Sequence, residues 1–179
     1  MACVDETGST FRARPGTTWA PIGQPPELRR VSMRREVSSV VALVAPFGRR
    51  KARLYARHFE GSVHGAQVVA ALRYFRRKVG HPLVVVWDRL GAHRSNEVKR
   101  FVASHASDFV LESFPAYSPE LNPEEGCNSQ VKRSMLNSTP ESTAQLLRQV
   151  RAAFGRLGRH HAALRGFFAH AGLSLHGLT

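Results

Sequence analysis

Lysine is nearly missing from this sequence: of 26 basic residues, only Lys51, Lys78, Lys99 and Lys132 are lysines. Acids are few as well, 13 in a chain of 179 residues, so the formal charge is +13 and the pI near 11.3. An excess of that size points to a polyanionic partner, nucleic acid above all, rather than to a surface made basic for solubility. Because arginine supplies nearly all of it, bidentate contacts to phosphate are favoured over point-charge attraction. Cysteine is scarce too. Cys3 and Cys127 have no metal-ligand spacing, and two cysteines make no disulfide framework. No apolar run approaches the ~20 residues of a membrane span. The opening residues reach Asp5 too soon for a signal peptide. These absences predict a soluble, intracellular protein with no membrane partner. Internal repeats and low-complexity linkers are missing, and at 42% hydrophobic residues the composition suits one folded domain.

What is present is organised around Leu83-Val84-Val85-Val86-Trp87-Asp88. An uninterrupted apolar run bounded by Gly80-His81-Pro82 and Arg89-Leu90-Gly91 predicts a strand buried on both faces. An acid at the C-terminal end of such a strand lies where open α/β sheets place their chemistry. Asp88 taken alone fits a turn cap equally well.

Before that run, Ala2-Cys3-Val4 reads as the stub of a clipped strand ending at Asp5-Glu6, with Thr7-Gly8-Ser9 as a turn. The Pro-, Gly- and Arg-rich stretch from Phe11 to Val31 suggests short strands or an irregular hairpin. Val37 to Val44 is a strand, Ala45-Pro46-Phe47-Gly48 a turn, and Arg49 to Phe59 alternates as a half-exposed partner strand. From Gly65 the period changes: Val68, Val69, Leu72, Phe75 and Val79 lie on one face of a helix that Gly80 ends.

After Asp88, Ser95 should cap a helix to about His105, and Phe109-Val110-Leu111 should form a strand leading into a proline-rich loop. Asn122 followed by Pro123 is a helix cap with proline at the first position, and the helix should run to about Leu136. Thr139-Pro140-Glu141 suggests the same start for a helix to about Leu157, and a short helix near Ala162 to His170 closes the chain. This order predicts a mixed α/β domain with extra C-terminal helices.

Asp5 and Asp88 on strand ends, with Glu125 opening a helix in the first turn favoured by carboxylates, are three acids free to converge. Hard divalent cations take such oxygen ligands, and Mg²⁺ keeps waters and a substrate phosphate besides. Metal ions held in pairs can activate water and stabilise the leaving oxygen of a phosphodiester.

The residues also carry a resemblance. Val4-Asp5-Glu6-Thr7-Gly8, Thr18-Trp19-Ala20-Pro21 with Gly23, and Val85-Val86-Trp87-Asp88 running to Ala92-His93 resemble segments of the catalytic domain of bacterial mariner-like insertion-sequence transposases. The most specific match is Pro115-Ala116-Tyr117-Ser118-Pro119-Glu120-Leu121-Asn122-Pro123-Glu124-Glu125, similar to that family's Pro-x-Tyr-[Ser/Ala]-Pro-x-Leu-Asn-Pro-x-Glu signature. The resemblance implies a ribonuclease H-like mixed sheet flanked by helices over residues 1–179. It implies Asp5, Asp88 and Glu125 as catalytic metal ligands for Mg²⁺, with Mn²⁺ able to substitute. It further implies DNA transposition by phosphodiester hydrolysis and strand transfer, with transposon ends and target DNA as partners, a homodimer, and a nucleoid-associated place in a bacterial cytoplasm.

Glu124 competes with Glu125 for the third place, Glu6 reads as a supporting or solvated acid, and His93 as a positioning or turn-packing residue. The proline-rich loop should shape the pocket wall. Two departures stand out. The helix-turn-helix region that reads element ends is not recognisable, so an upstream half is a further expected partner. Asn128 stands where the family commonly has Trp, three residues after the acid, which predicts a cavity or altered packing. These departures support an alternative, a catalytically inactive DNA-binding remnant.

Overall fold

The computed structural model describes residues 1–11, 16–28, 36–45 and 51–174. Its centre is β1 (Ala2–Thr10), paired antiparallel along its whole length with β2 (Glu36–Val44) and parallel with β4 (Leu83–Trp87). The antiparallel β3 (Arg53–Glu60) and the parallel β5 (Phe109–Ser113) complete a mixed sheet of order β3-β2-β1-β4-β5.

Alternation along β1 and β2 divides the core in two. Ala2, Val4, Val40 and Ala42 meet Val68, Leu72 and Phe75 of α1 (Gly65–Val79) and Val98 of α2 (Asn96–Ala103). Cys3, Val41 and Leu43 face the other way, toward three helices. These are α3 (Pro123–Ser134), α4 (Thr143–Gly158) and α5 (His161–His170), which contribute Cys127, Val150, Phe154, Leu164 and Phe168. Helices on both faces of a mixed sheet bear out the expected α/β architecture.

Several local expectations need correction. Thr7-Gly8-Ser9 is strand rather than turn, because β2 supplies partners Ser39, Ser38 and Val37 all along it. Asp5 therefore lies in the middle of β1 and not at its end. β4 is buried on one face only: Leu83, Val85 and Trp87 point into the α1–α2 core, whereas Val84 is 40% exposed. The helices α3, α4 and α5 pack over β1, β2 and β3 and leave that side of β4 open, as they do Val110 on β5.

The described part of the proline-rich stretch, residues 16–28, forms no strand; a turn closed by Gln24 N–H donating to Pro21 O at 3.0 Å is its local order. Residues 12–15 and 29–35, and the expected turn at 46–48, lie outside the described residues. The helix expected from Thr139-Pro140 begins later, at Thr143, because Ser142 caps it by accepting from Gln145 N–H at 3.2 Å. Ser95, Gly80 and Asn122 do cap as their sequence contexts suggest.

Candidate active site

Asp5 points from the α3 side of β1 and is 7% exposed. Its Oδ1 accepts from the Glu6 backbone N–H at 2.7 Å, and its Oδ2 from Asn128 Nδ2 at 3.4 Å. The same Asn128 nitrogen donates to Glu124 Oε2 at 2.6 Å. Glu124 and Asn128 are four residues apart on α3, so they share a face of the helix and reach the strand together. Glu124 is wholly buried and its Oε1 has no hydrogen-bond donor among the described residues. Burial first, then the charges of Asp5 and Glu125, hold the Glu124 carboxyl well above the ordinary range. That direction favours the protonated form of Glu124 beside Asp5, with Asn128 Nδ2 between the two. At Asn128 the altered packing expected is found: the side chain is 1% exposed and its Nδ2 is shared between two acids.

Asp88 follows β4 directly. Its Oδ1 accepts from Leu90 N–H at 3.0 Å, so the turn-capping role exists alongside any other. His93 comes back from the following turn, stacked on Trp87 with ring centroids 4.3 Å apart and planes 6° from parallel. Its Nδ1 lies 2.9 Å from Asp88 Oδ1, and its Nε2 lies 3.1 Å from Glu6 Oε1. The second contact is an ion pair by distance, without a well-aligned hydrogen bond at either atom. Burial opposes protonation of His93, but the Glu6 carboxylate, then the Asp88 backbone carbonyl 3.2 Å from Nδ1 and the Asp88 charge, outweigh it and raise the pKa. A carboxylate beside each nitrogen favours the protonated imidazole. His93 ties Glu6, in the middle of β1, to Asp88 at the end of β4.

Glu125 is on the exposed side of α3, opening onto a cavity of about 730 Å³ that Gly126, Ser129, Arg133, Phe167 and His170 also line. The loop before it starts with Phe114 N–H donating to Trp87 O at 2.9 Å and ends with Asn122 capping α3. The proline-rich segment therefore runs from beside Asp88 to Glu125. Within it Tyr117 holds φ +58 and stands fully exposed.

Burial is the main cause that lifts the Asp5 carboxyl to about 6; the Glu6 amide opposes it, and the charges of Glu125 and Asp88 raise it further. Asp88 and Glu125 thus each lie near enough to Asp5 for their charges to act on it. Among the described residues no three His, Cys, Asp or Glu side chains form a ready cage for a metal ion. The donor set still fits a magnesium-like cation, which needs one or two carboxylates at a time and takes its remaining ligands from water and phosphate. Reasoning from sequence read Glu6 as a supporting or solvated acid and gave Asn128 no part in this cluster, although the Glu124–Asn128 spacing of four on a helix was a usable signal for it.

A family model described as DDE superfamily endonuclease matches residues 1–147. Among solved structures, 96% of this chain superposes on 51% of the chain in a Mos1 strand transfer complex, with TM-score 0.66 and 14% identity. A Mos1 mariner paired end complex with Mn gives 0.65 at 15% identity, again over 96% of this chain and 52% of the other. The Mos1 transposase catalytic domain with raltegravir and Mn gives 0.62 at 12% identity, over 96% and 78%. The chain spans about half the length of the first two. At these identities the likeness establishes a shared fold, the ribonuclease H-like arrangement expected above. No curated protein sequence matches the chain. No helix among the described residues is long and apolar enough to cross a membrane.

Proposed function

Since this chain belongs to the DDE superfamily endonucleases, we propose that it is the catalytic domain of a DNA transposase, hydrolysing a phosphodiester at an element end and joining the freed 3′-hydroxyl to target DNA. The observation that carries the reading is that Glu125, opening α3, and Asp88, following β4, both lie close enough to the buried Asp5 carboxyl of β1 for their charges to raise it. Carboxylates crowded in this way, inside a chain of charge +13, are stabilised by a bound cation and by an approaching polyanion together.

Asp5, Asp88 and Glu125 would hold Mg²⁺ or Mn²⁺, which supplies an acidified water and neutralises charge on the phosphoryl oxygens. The chain's own residues do the rest. Asn128 fixes the Asp5 carboxylate against α3, and His93 fixes Asp88 against Glu6. Burial and the charge of Asp5 favour a proton on Glu124, so that pair would carry one charge rather than two. Glu125, exposed at the start of α3, is the acid that substrate reaches first. A homodimer, recognition of element ends by a helix-turn-helix region, and a bacterial nucleoid setting belong to the same proposal.

The test is nicking of supercoiled plasmid by purified protein with Mg²⁺ or Mn²⁺, beside Asp88→Asn. Metal-dependent nicking that disappears in the variant is expected. Equal nicking by both proteins, or none by either, counts against a catalytic domain; DNA binding without nicking would favour the remnant.

A further inference from the structure

The edge of the sheet formed by β3, two strands away from β1, carries a second concentration of positive charge. A groove of about 1130 Å³ wraps this edge between α1 and α4. Arg53 and Arg57 enter it from the strand, Arg151 and Arg159 from α4, and no acid among the described residues lines it. All four arginines are exposed, and none is in an ion pair among the described residues. Arg57 lies 5.8 Å from the centre of the Tyr74 ring, which stiffens its guanidinium without neutralising it. The field is felt by a neighbour: after burial, the charges of Arg151 and Arg57 hold His58 down at about 4.

Two glycines of α4 line the groove: Gly155 in its last turn, where glycine weakens a helix, and Gly158 as its final residue. A Cβ at Gly155 would meet only Arg159 Nη1 at 3.9 Å, and one at Gly158 would meet Leu54 at 3.8 Å, both ordinary contacts. Packing therefore does not demand these glycines, but an open groove does. The eight residues of β3 extend about 26 Å, on the order of seven phosphates along one strand of a duplex.

We propose that the groove along β3 is a second DNA-docking site, taking the sugar–phosphate backbone of a duplex segment apart from the strand engaged by the acids. Charge without acids, four arginines beside the single lysine Lys51, and two glycines in the lining all suit a continuous polyanion. An acidic polypeptide is the competing occupant. The proposal rests on the reading that the chain acts on DNA.

The experiment measures binding of a fluorescent 30-base-pair duplex by anisotropy, in EDTA, across a series of salt concentrations. Arg57→Ala combined with Arg151→Ala should weaken binding at least tenfold at low salt. It should also reduce the slope of log affinity against log salt by about two, one per lost phosphate contact. Replacing both residues by lysine should recover most of the slope. Gly155→Glu, which sets a carboxylate on the groove floor and keeps the helix, should weaken binding similarly and serves if the double variant does not fold. Unchanged affinity and slope in these variants, with tight binding by the parent, overturn the groove and leave the DNA reading standing. Absence of binding by the parent protein overturns both. Displacement of bound duplex by polyglutamate at lower charge concentration than by unlabelled DNA also overturns the proposal.

Discussion

The Asn128 side chain reaches from α3 to the Asp5 carboxylate on the central strand, Nδ2 to Oδ2 3.4 Å, across 123 residues of sequence. The same nitrogen holds Glu124 at 2.6 Å, so one amide serves two acids. Asn128→Leu keeps the volume and removes the donor, leaving buried carboxyl oxygens unsatisfied. The expected loss is about 2 kcal/mol of stability, read from the urea midpoint. A parallel fall in metal-dependent nicking should accompany it, because Asp5 loses its fixed direction. A midpoint within error of the parent would show that the contact contributes nothing.

The acid cluster should make the metal-free protein less stable as pH rises. Asp5 has a folded pKa of about 6 against an ordinary 3.8, so the folded state binds more protons than the unfolded one between those values. Its contribution to stability is therefore lost as pH climbs through that window. His93 acts in the same direction: its raised pKa gives stability that is present below 6.5 and lost as pH rises through the folded value. Asp5→Asn removes the first effect. In EDTA the variant should be more stable than the parent at pH 7 by roughly 2–3 kcal/mol, with the two melting curves converging near pH 4. Millimolar Mg²⁺ should raise the Tm of the parent and leave the variant unchanged. Stability of the parent that increases from pH 4 to pH 7 in EDTA would contradict this account.

Neighbouring glutamates at the start of α3 have opposite surroundings, and that separates their roles. Glu125 is exposed over a cavity, whereas Glu124 is completely buried with its pKa raised, which favours the neutral form. Glu125→Gln should abolish nicking with little change in Tm. Glu124→Gln preserves shape and a neutral side chain, so it should fold and keep a substantial fraction of activity. Measuring both variants for nicking and for melting decides between them. The reverse pattern would make Glu124 the third metal ligand.

Element types were legible in the sequence where a local cause sufficed. The period of α1, the glycine that ends it at φ +80, and the Asn122-Pro123 cap of α3 all act within a few residues. The position of Asp5 was harder. Thr7-Gly8-Ser9 has turn composition, and only the unbroken partner β2 makes it strand. The apolar run of β4 gave its strand but not its exposure, since which helices cover which strands is decided by chain path. Similarly, Asp5, Asp88 and Glu125 could be named from composition and motif. Glu6 and His93 could be named as supporting and positioning residues, but not their pairing, which joins two strands, and Asn128 replaces an expected aromatic residue with a polar link that requires Asp5 and Glu124 already in place.

Glu125 also depends on how closely α3 approaches α5. Gly126, the next residue, faces the Phe167 ring, and a Cβ built there would lie 2.5 Å from Cδ1 and 3.0 Å from Cε1. Glycine within a helix costs about 1 kcal/mol relative to alanine, so Gly126→Ala would stabilise an isolated α3. In the folded protein the added methyl must displace an aromatic ring packed against the core that includes Leu164 and Phe168. Overpacking of this kind costs about 1–3 kcal/mol, which exceeds the gain in helix propensity. Gly126→Ala should therefore lower the Tm, and shifting α3 should also reduce nicking through Glu125. Phe167→Ala in the same chain opens the space the methyl needs. The double variant should consequently be no less stable than Phe167→Ala alone, a non-additivity that a set of four urea titrations measures directly. Strict additivity of the two losses would mean that the ring does not set the spacing between the helices.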